Sequence, residues 1–290
     1  MAELIHDPES DLTYRAWTVD GAKAVLVLVH GLGAHSGRWQ CLAQFAAAKN
    51  IACYAVELKG FGQNCGTRGH ADSWQDYYRD IAALCGLARR QNPHAKIFLA
   101  GESFGGLVAF GFAQEQPQAF DGLICLSPAF VNTLKVSPWK YAGAFLSLAL
   151  GRPARQFKVP FNLGMITRDQ AMIQALRDDP AEHRLMSARL FWLMFKRQLE
   201  LKSAHPVLKV PVLFLVAGDD LLVSSCASRR LFQRLVAPAK KLIEYPGMRH
   251  ALSIDLGRER VFGDIVNWID SRGGACPSRY KRHYAGENEL

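Results

Sequence analysis

The sequence predicts an α/β protein built on a mostly parallel, doubly wound sheet with an inserted helical segment. Short runs rich in Val, Ile and Leu alternate with longer segments of helical spacing, which is typical of a parallel sheet with helices on both faces. The runs lack polar/apolar alternation, as expected for strands covered on both sides. With 290 residues, 49% of them hydrophobic, the chain can bury a core of one large domain or of two small ones.

Six runs carry the strand pattern. In chain order they are AVLVLVH (24–30), IACYAVEL (51–58), KIFLAG (96–101), GLICLS (122–127), VPVLFLVAG (210–218) and KKLIEYP (240–246). The stretch GGLVAFGFAQEQP predicts a helix directly after the third run, and RERVFGDIVNWIDSRG predicts the last helix.

Between the fourth and fifth runs the alternation fails, and we call residues 128–206 the cap segment. Thr167 and Gln170 are spaced as a capping box. Asp179, Pro180 and Glu182 offer an N-cap, an N1 proline and an N3 acid, which predicts a long helix over 180–204.

The predicted organisation follows from this interruption. Core residues 1–127 and 207–272 flank the cap segment, 128–206, and a polar tail follows at 273–290. No internal repeat or low-complexity tract interrupts them.

Charge and cysteine content restrict the partners and the compartment. The formal charge is +9, but Lys and Arg are scattered, so we expect a solvated basic surface and no nucleic-acid partner. Seven cysteines without a C-x-x-C pair predict reduced thiols and no bound metal. The first residues lack a basic segment followed by an apolar one, and no stretch approaches the roughly 18 apolar residues of a membrane span, so we expect a cytoplasmic protein.

Residues 96–112, KIFLAGESFGGLVAFGF, place one serine in the turn between a strand and a helix. Gly101, Ser103 and Gly105 fit the G-x-S-x-G pattern of a nucleophile elbow. Larger side chains at the two glycines would collide with the strand and the helix. The turn also sets Ser103 at a helix N-terminus, where amides and the positive dipole end can stabilise an oxyanion. We therefore predict that Ser103 is a nucleophile rather than a small residue that merely fits a tight turn.

A serine nucleophile needs a base and an acid that orients the base. His250 follows the last strand, at the carboxyl edge of the sheet where such sites form, and is the predicted base. The other three histidines that follow Ser103 are expected to be solvated. We expect His183 in a charged helix, His205 just before a strand and His283 in the tail. The acid should follow the preceding strand, which ends in Asp219 and Asp220, and the pattern alone leaves both open.

The loop HGLGAHSGRW (30–39) follows the first run and is the predicted source of a second oxyanion donor. Gly31 and Gly33 also begin a dinucleotide fingerprint, but Ser36 stands where its third glycine would be, and the expected acid is matched only loosely by Glu57. We therefore expect no cofactor, and we expect His30 to hold this loop by hydrogen bonds rather than to bind a metal.

From about Tyr14 to Ile269 the chain resembles the α/β-hydrolases of the monoacylglycerol lipase and bacterial lysophospholipase group. The motifs that carry the resemblance are HGLGAHSGRW, ELKGFGQNCGTRGH, GESFGG, the stretch ITRDQAMIQALRDDPAEHRLMSARLFWLM of the cap segment, AGDDLLV and PGMRH. It implies an α/β-hydrolase fold, Ser103 as nucleophile with Asp220 and His250 as its partners, and the amides of Leu32 and Phe104 as the oxyanion hole. It also implies a mobile cap and an acyl channel. The sequence departs from the group at Ala34, where an acid is common.

The residues and the resemblance together predict a serine carboxylic-ester hydrolase that acts on monoacyl lipids through an acyl-enzyme. A small-ester carboxylesterase, a thioesterase or a serine aminopeptidase would use the same triad, and a binding protein of the same fold is the non-enzymatic alternative. In the cap segment, Phe145 and Leu146 lie in an almost uncharged run followed by three cations. The run can simply pack on the core with its cations solvated, or it can line an acyl channel and make peripheral contact with a lipid surface. Acyl length, head group and oligomeric state stay open.

Overall fold

A computed structural model describes residues 2–64, 66–134 and 137–273 of the chain. Within these ranges the strands are β1 (Leu4–Asp7), β2 (Leu12–Trp17), β3 (Ala24–Val29), β4 (Ile51–Val56), β5 (Lys96–Glu102), β6 (Gly122–Leu126), β7 (Gln156–Lys158), β8 (Leu185–Ser187), β9 (Val212–Ala217) and β10 (Lys240–Tyr245). The α-helices are α1 (Gln40–Ala47), α2 (Trp74–Gln91), α3 (Phe104–Glu115), α4 (Pro138–Ala149), α5 (Gln170–Asp178), α6 (Ala188–Ser203), α7 (Ser225–Arg234) and α8 (Arg258–Asp270).

Eight strands form the main sheet in the order β1-β2-β4-β3-β5-β6-β9-β10. From β4 to β10 every neighbouring pair is parallel, whereas β2 runs antiparallel to both of its neighbours. Along β3, Val25, Val27 and Val29 belong to one hydrophobic cluster, while Leu26 and Leu28 belong to the other. Because successive side chains alternate between faces, this strand is buried on both sides, which explains its continuous apolar run. The predicted fold class is confirmed.

The antiparallel hairpin of β1 and β2 is absent from the sequence prediction. It begins the sheet at an edge, where β1 is partly exposed and mixes charged and apolar side chains. A short edge strand of this kind lacks the apolar run by which the buried strands were recognised.

The cap segment differs from the prediction in its second half. The expected helix over 180–204 begins only at Ala188, where Ser187 is the N-cap, and the helix before it ends at Asp178. Between the two helices a turn at 180–181 leads into β8, because the backbone N–H of His183 donates to Gly33 O at 3.0 Å and β8 pairs with β7. Long-range backbone bonds thus outweigh the local signal of Pro180, which here ends one helix instead of starting the next.

The expected capping box at Thr167 and Gln170 is also wrong. Asp169 is the N-cap of α5, and its carboxylate accepts from the amides of Ala171 and Met172. The Thr167 hydroxyl instead bonds Ile254 O and the carboxylate of Asp255, so it ties the cap segment to the core.

Searched over the described ranges, the helices include none of the length and apolar character that a bilayer crossing requires. Beyond Gly273 the predicted tail lies outside the described residues. Cys65 and Cys276 also lie outside them.

Candidate active site

The turn between β5 and α3 holds Ser103 in a conformation that few non-glycine residues adopt. Its φ is 58° and its ψ is −119°. The Ser103 amide donates to Leu126 O at 2.9 Å, and its carbonyl accepts from Leu107 N and Ala129 N, so the turn is held from three sides. A Cβ on Gly105 would lie 2.1 Å from Val29 O, which explains the need for glycine where α3 passes β3. Such local strain is typical of residues whose side chain must be presented for chemistry.

Three polar side chains from separate loops form a hydrogen-bonded chain at this turn. His250 Nε2 lies 2.7 Å from Ser103 Oγ, and His250 Nδ1 lies 2.8 Å from Asp220 Oδ2. The Asp220 side chain is fully buried, and its Oδ1 accepts from the amides of Leu222 and Val223, which fixes the orientation of the carboxylate. Asp219, the alternative that the sequence left open, is exposed. The loop therefore brings Asp220, and not Asp219, to the imidazole.

The loop after β3 lies directly against Ser103. A Cβ on Gly31, the residue before Leu32, would meet the Ser103 side chain at 3.4 Å. Phe104 is the first residue of α3, and the first amides of a helix have no partner within the helix. Among the described residues neither the Leu32 amide nor the Phe104 amide has a hydrogen-bond acceptor. Their role as donors to a developing oxyanion stays a prediction.

His30 fixes the base of this loop. It is almost fully buried; its Nδ1 donates to Gly31 O at 2.9 Å, and its Nε2 accepts from Leu58 N at 3.1 Å. Burial lowers the pKa of His30 to about 4, partly offset by the carboxylate of Glu57. The imidazole is therefore neutral near pH 7 and makes one bond as donor and one as acceptor.

The cap segment also contacts the loop. His35 Nε2 donates to Asp179 Oδ2 at 2.9 Å, and the buried guanidinium of Arg38 pairs with Glu182 at 2.5 Å. Gly33 has a φ of +79°, and a Cβ there would lie 1.9 Å from His183 O. The stretch 179–183 therefore fits onto the loop that presents the Leu32 amide.

His183 was expected to be a solvated residue of a charged helix, and this is wrong. Its ring stacks on Phe61 with centroids 5.3 Å apart, and its Nε2 lies 3.2 Å from Gly60 O. Burial lowers its pKa. The Asp-Pro step at 179–180, which ends α5, was the available signal that His183 lies in a loop.

A cavity of about 620 Å³ opens above Ser103, between the core and the cap segment. Most of its wall in the cap segment is apolar and comes from β8, α5, α6 and the residues before them: Val159, Phe161, Leu163, Ile166, Ile173, Leu176, Met186 and Met194. Phe145 and Leu146 do not line it, contrary to the prediction. Phe145 packs on the α6 rings of Phe191, Trp192 and Phe195, and Leu146 is 57% exposed.

The acidic side chains of this cavity are already engaged. Asp179 accepts from His35, Glu182 accepts from Arg38, and Glu102 accepts twice from Ser253. In the part of the chain that the structure describes, His, Cys, Asp and Glu side chains nowhere gather in threes around a point that could hold a metal ion.

Comparisons with known proteins agree with this geometry. Residues 20–257 match the family described as "Serine aminopeptidase, S33". The phospholipase YtpA of Bacillus subtilis is 30% identical over 85% of this chain and 95% of its own. The solved monoacylglycerol lipase of Paleococcus ferrophilus is 27% identical, with a TM-score of 0.77 over 90% of this chain and 98% of that one. An uncharacterized abhydrolase domain-containing protein of Dictyostelium discoideum is 26% identical, and the match spans 94% of this chain and 29% of that longer protein.

Proposed function

The chain belongs to the serine aminopeptidase S33 family and has the α/β-hydrolase fold, and on that premise we propose that it hydrolyses carboxylic esters of monoacyl lipids. The observation that carries the proposal is the bonded chain of Ser103, His250 and Asp220 beside a cavity whose wall in the cap segment is mostly apolar. Relatives named as a phospholipase and a monoacylglycerol lipase support the same substrate class.

The proposed reaction has two halves. His250 Nε2 accepts the Ser103 proton while Oγ attacks the ester carbonyl carbon, and the Leu32 and Phe104 amides donate to the resulting oxyanion. The C–O bond to the alcohol breaks, and the alcohol leaves with the proton from His250. Water then attacks the acyl-enzyme as His250 accepts a proton from it, and the carboxylic acid is released. Asp220 orients the imidazole and stabilises its charged form.

The cavity wall favours a single long acyl chain over a peptide amino terminus. An aminopeptidase must hold the free ammonium group of its substrate, which calls for an unengaged acid or carbonyl in a buried site. Here Glu102, Asp179 and Glu182 all have partners in the protein. The apolar side chains above Ser103, by contrast, can remove an alkyl chain from water.

A fluorophosphonate probe and a substrate panel test the proposal. We expect covalent labelling of the parent protein and of Ser10→Ala, an exposed serine control, and none of Ser103→Ala. Turnover should rank long-chain monoacylglycerols and lysophospholipids above a short aryl ester, with aminoacyl amides lowest. Persistence of labelling in Ser103→Ala, or a preference for aminoacyl amides, would contradict the proposal.

We further propose that the outer face of α4 touches an anionic lipid surface. Trp139 and Leu146 are 84% and 57% exposed there, and Leu150, at the end of the helix, is 59% exposed. Three exposed cations follow within eight residues, Arg152, Arg155 and Lys158, and within the described ranges none has an acidic partner. Apolar side chains next to unpaired cations are the combination that binds an anionic interface.

Vesicles of neutral and of anionic phospholipid separate this contact from a merely exposed helix. The triple variant Trp139→Ser, Leu146→Ser, Leu150→Ser should lose several-fold binding to anionic vesicles and keep its activity on a soluble short ester. Val236→Ser removes a 59% exposed apolar side chain elsewhere and serves as the control. Binding that is equal on both kinds of vesicle, or unchanged in the triple variant, would exclude this surface.

A further inference from the structure

The residue before the nucleophile carries a buried carboxylate that the proposed reaction leaves without a role. Glu102 is the last residue of β5, and its side chain is 4% exposed. Its Oε1 accepts from Ser253 N at 2.9 Å, and its Oε2 accepts from Ser253 Oγ at 2.7 Å. Ser253 lies three residues after His250 in the same loop. One side chain thus joins the strand that carries the nucleophile to the loop that carries the base.

We propose that Glu102 is a positioning residue that sets the distance between Ser103 and His250 and stabilises the imidazolium formed during proton transfer. The inference rests on the proposed serine-hydrolase function. The His250 loop closes by short turns, with Ile254 N and Asp255 N both donating to Ala251 O. Because the turn is compact, a bond at Ser253 constrains the whole stretch back to His250. A misplacement of about 1 Å can cost a factor near 10² in rate, so such a tether matters for the 2.7 Å contact of the imidazole with Ser103 Oγ.

The Glu102 carboxylate also changes the electrostatic environment of His250. Burial raises the pKa of Glu102 above its ordinary value, and the two donors of Ser253, the nearby His250 and the guanidinium of Arg38 offset only part of this rise. His250 interacts with two carboxylates, Asp220 bonded to Nδ1 and Glu102 on β5, while the guanidinium of Arg38 on the loop after β3 acts on Glu102. A negative charge on Glu102 stabilises the imidazolium that forms while His250 holds the Ser103 proton.

A purely structural role for Glu102 would satisfy the Ser253 amide and nothing more. That alternative predicts that any group able to bond Ser253 suffices, whatever its charge. The two ideas therefore differ in the protonation of His250 during turnover, which the acid limb of the kcat/KM profile reports.

Two variants separate charge from contact. Glu102→Gln keeps an oxygen for the Ser253 amide and an amide group for the Ser253 hydroxyl, and it removes the charge. Ser253→Ala keeps the charge and removes the Oγ contact. For each variant we would measure kcat, KM and their pH dependence on a short aryl ester, the rate of fluorophosphonate inactivation, and Tm.

For Glu102→Gln we expect kcat to fall about tenfold with KM nearly unchanged, and the acid limb of kcat/KM to move about one pH unit lower. For Ser253→Ala we expect an acid limb that stays in place and an inactivation rate about threefold slower. An acid limb and kcat that are unchanged in a folded Glu102→Gln overturn the proposal. If Glu102→Gln does not fold, an inactivation rate in Ser253→Ala equal to that of the parent overturns it.

A parent enzyme that is neither labelled nor active would instead remove the proposed function. The two failures are therefore distinguishable, because the first occurs in an active parent.

Discussion

Helices α3 and α4 are both twelve residues long and both rich in apolar side chains, yet they are covered very differently. In α3, ten residues from Phe104 to Ala113 are buried between the sheet and its neighbours. In α4 only Ala144 and Ser147 are buried, and Trp139 is 84% exposed. Hydrophobic composition alone therefore does not say whether a helix belongs to the core. The covering depends on which elements the topology brings to it.

The difference follows the chemistry of each helix. The N-terminus of α3 follows Ser103, the proposed nucleophile, whose chemistry needs a helix fixed to within tenths of an ångström, and complete burial provides this. Helix α4 packs against α6 through Phe145 and Tyr141, whose rings contact Phe191. Its other face is exposed. The consequences of substitution should therefore be largest at the α3 end of the molecule and smallest in α4.

The largest loss of activity is expected from a substitution of Asp220, the acid that bonds His250. Asp220→Asn should lower kcat by about 10⁴, because an amide can leave the imidazole in the wrong tautomer. Asp219→Asn, one residue earlier and exposed, is the matched control and should change kcat by less than twofold. Steady-state kinetics on a short aryl ester measures both. A larger loss of kcat in Asp219→Asn than in Asp220→Asn would reverse the assignment of the acid.

The next effect is a pH dependence of the free energy of unfolding. It is expected from His30 in the core and not from α4. His30 is buried and neutral in the folded protein, with its pKa lowered to about 4, against about 6.5 in an unfolded chain. Its contribution to stability is fully present above pH 6.5. It is lost as the pH falls from 6.5 to 4, because the unfolded chain binds a proton that the folded one does not. The loss should amount to about 2 to 3 kcal/mol.

Denaturant unfolding between pH 7 and pH 4.5 tests this dependence. The parent should lose stability with falling pH, and His30→Gln, although less stable at pH 7, should lose it less steeply. Helix α4 contains no histidine, so the triple variant of its outer face should follow the slope of the parent. Identical slopes in the parent and His30→Gln would show that other groups cause the pH dependence.

The sequence predicted the covered regions of the molecule well and the contacts between regions poorly. Buried strands such as β3 and β9 are continuous apolar runs, so the fold class follows from the local sequence. The G-x-S-x-G pattern has one structural setting, so the position of Ser103 follows from it as well. The choice between Asp219 and Asp220 depends on which side chain a single loop turns inward. Local pattern is silent on this, and only the resemblance to known hydrolases favoured Asp220.

The cap segment shows why the rest could not be predicted. The stretch 179–187 has helical signals but forms a turn followed by β8, because Gly33 O and Gly69 O, more than 100 residues earlier, accept the amides of His183 and Ser187. The contacts of Glu182 with Arg38 and of Glu102 with Ser253 are likewise between residues far apart in the chain. Such contacts depend on the assembled fold, and a single sequence carries no signal for them.

A third effect compares glycines in the middle of the two helices, and the first of these lies in α3. A Cβ on Gly111 would lie 2.1 Å from Tyr78 Oη, and Tyr78 is 2% exposed. Gly111→Ala gains about 1 kcal/mol of helix propensity but must displace a buried ring, which costs about 1 to 3 kcal/mol. We expect a net loss of stability of about 1 kcal/mol in denaturant unfolding. A stabilised variant would mean that α3 is packed no more tightly than α4.

The smallest effect is expected at Gly143, a glycine in the middle of α4. A Cβ on Gly143 would meet nothing nearer than Phe157 Cε1 at 3.6 Å, which is an ordinary van der Waals contact. Gly143→Ala should therefore keep most of the propensity gain and raise the free energy of unfolding by about 0.5 to 1 kcal/mol. Because Gly143 is remote from Ser103 in the chain and does not line the cavity, turnover of a short ester should stay within twofold of the parent. The same glycine-to-alanine change thus has opposite signs in two helices of equal length. If Gly143→Ala destabilised the protein as much as Gly111→Ala, α4 would have to be enclosed as fully as α3, and its outer face would not be free to meet a lipid surface.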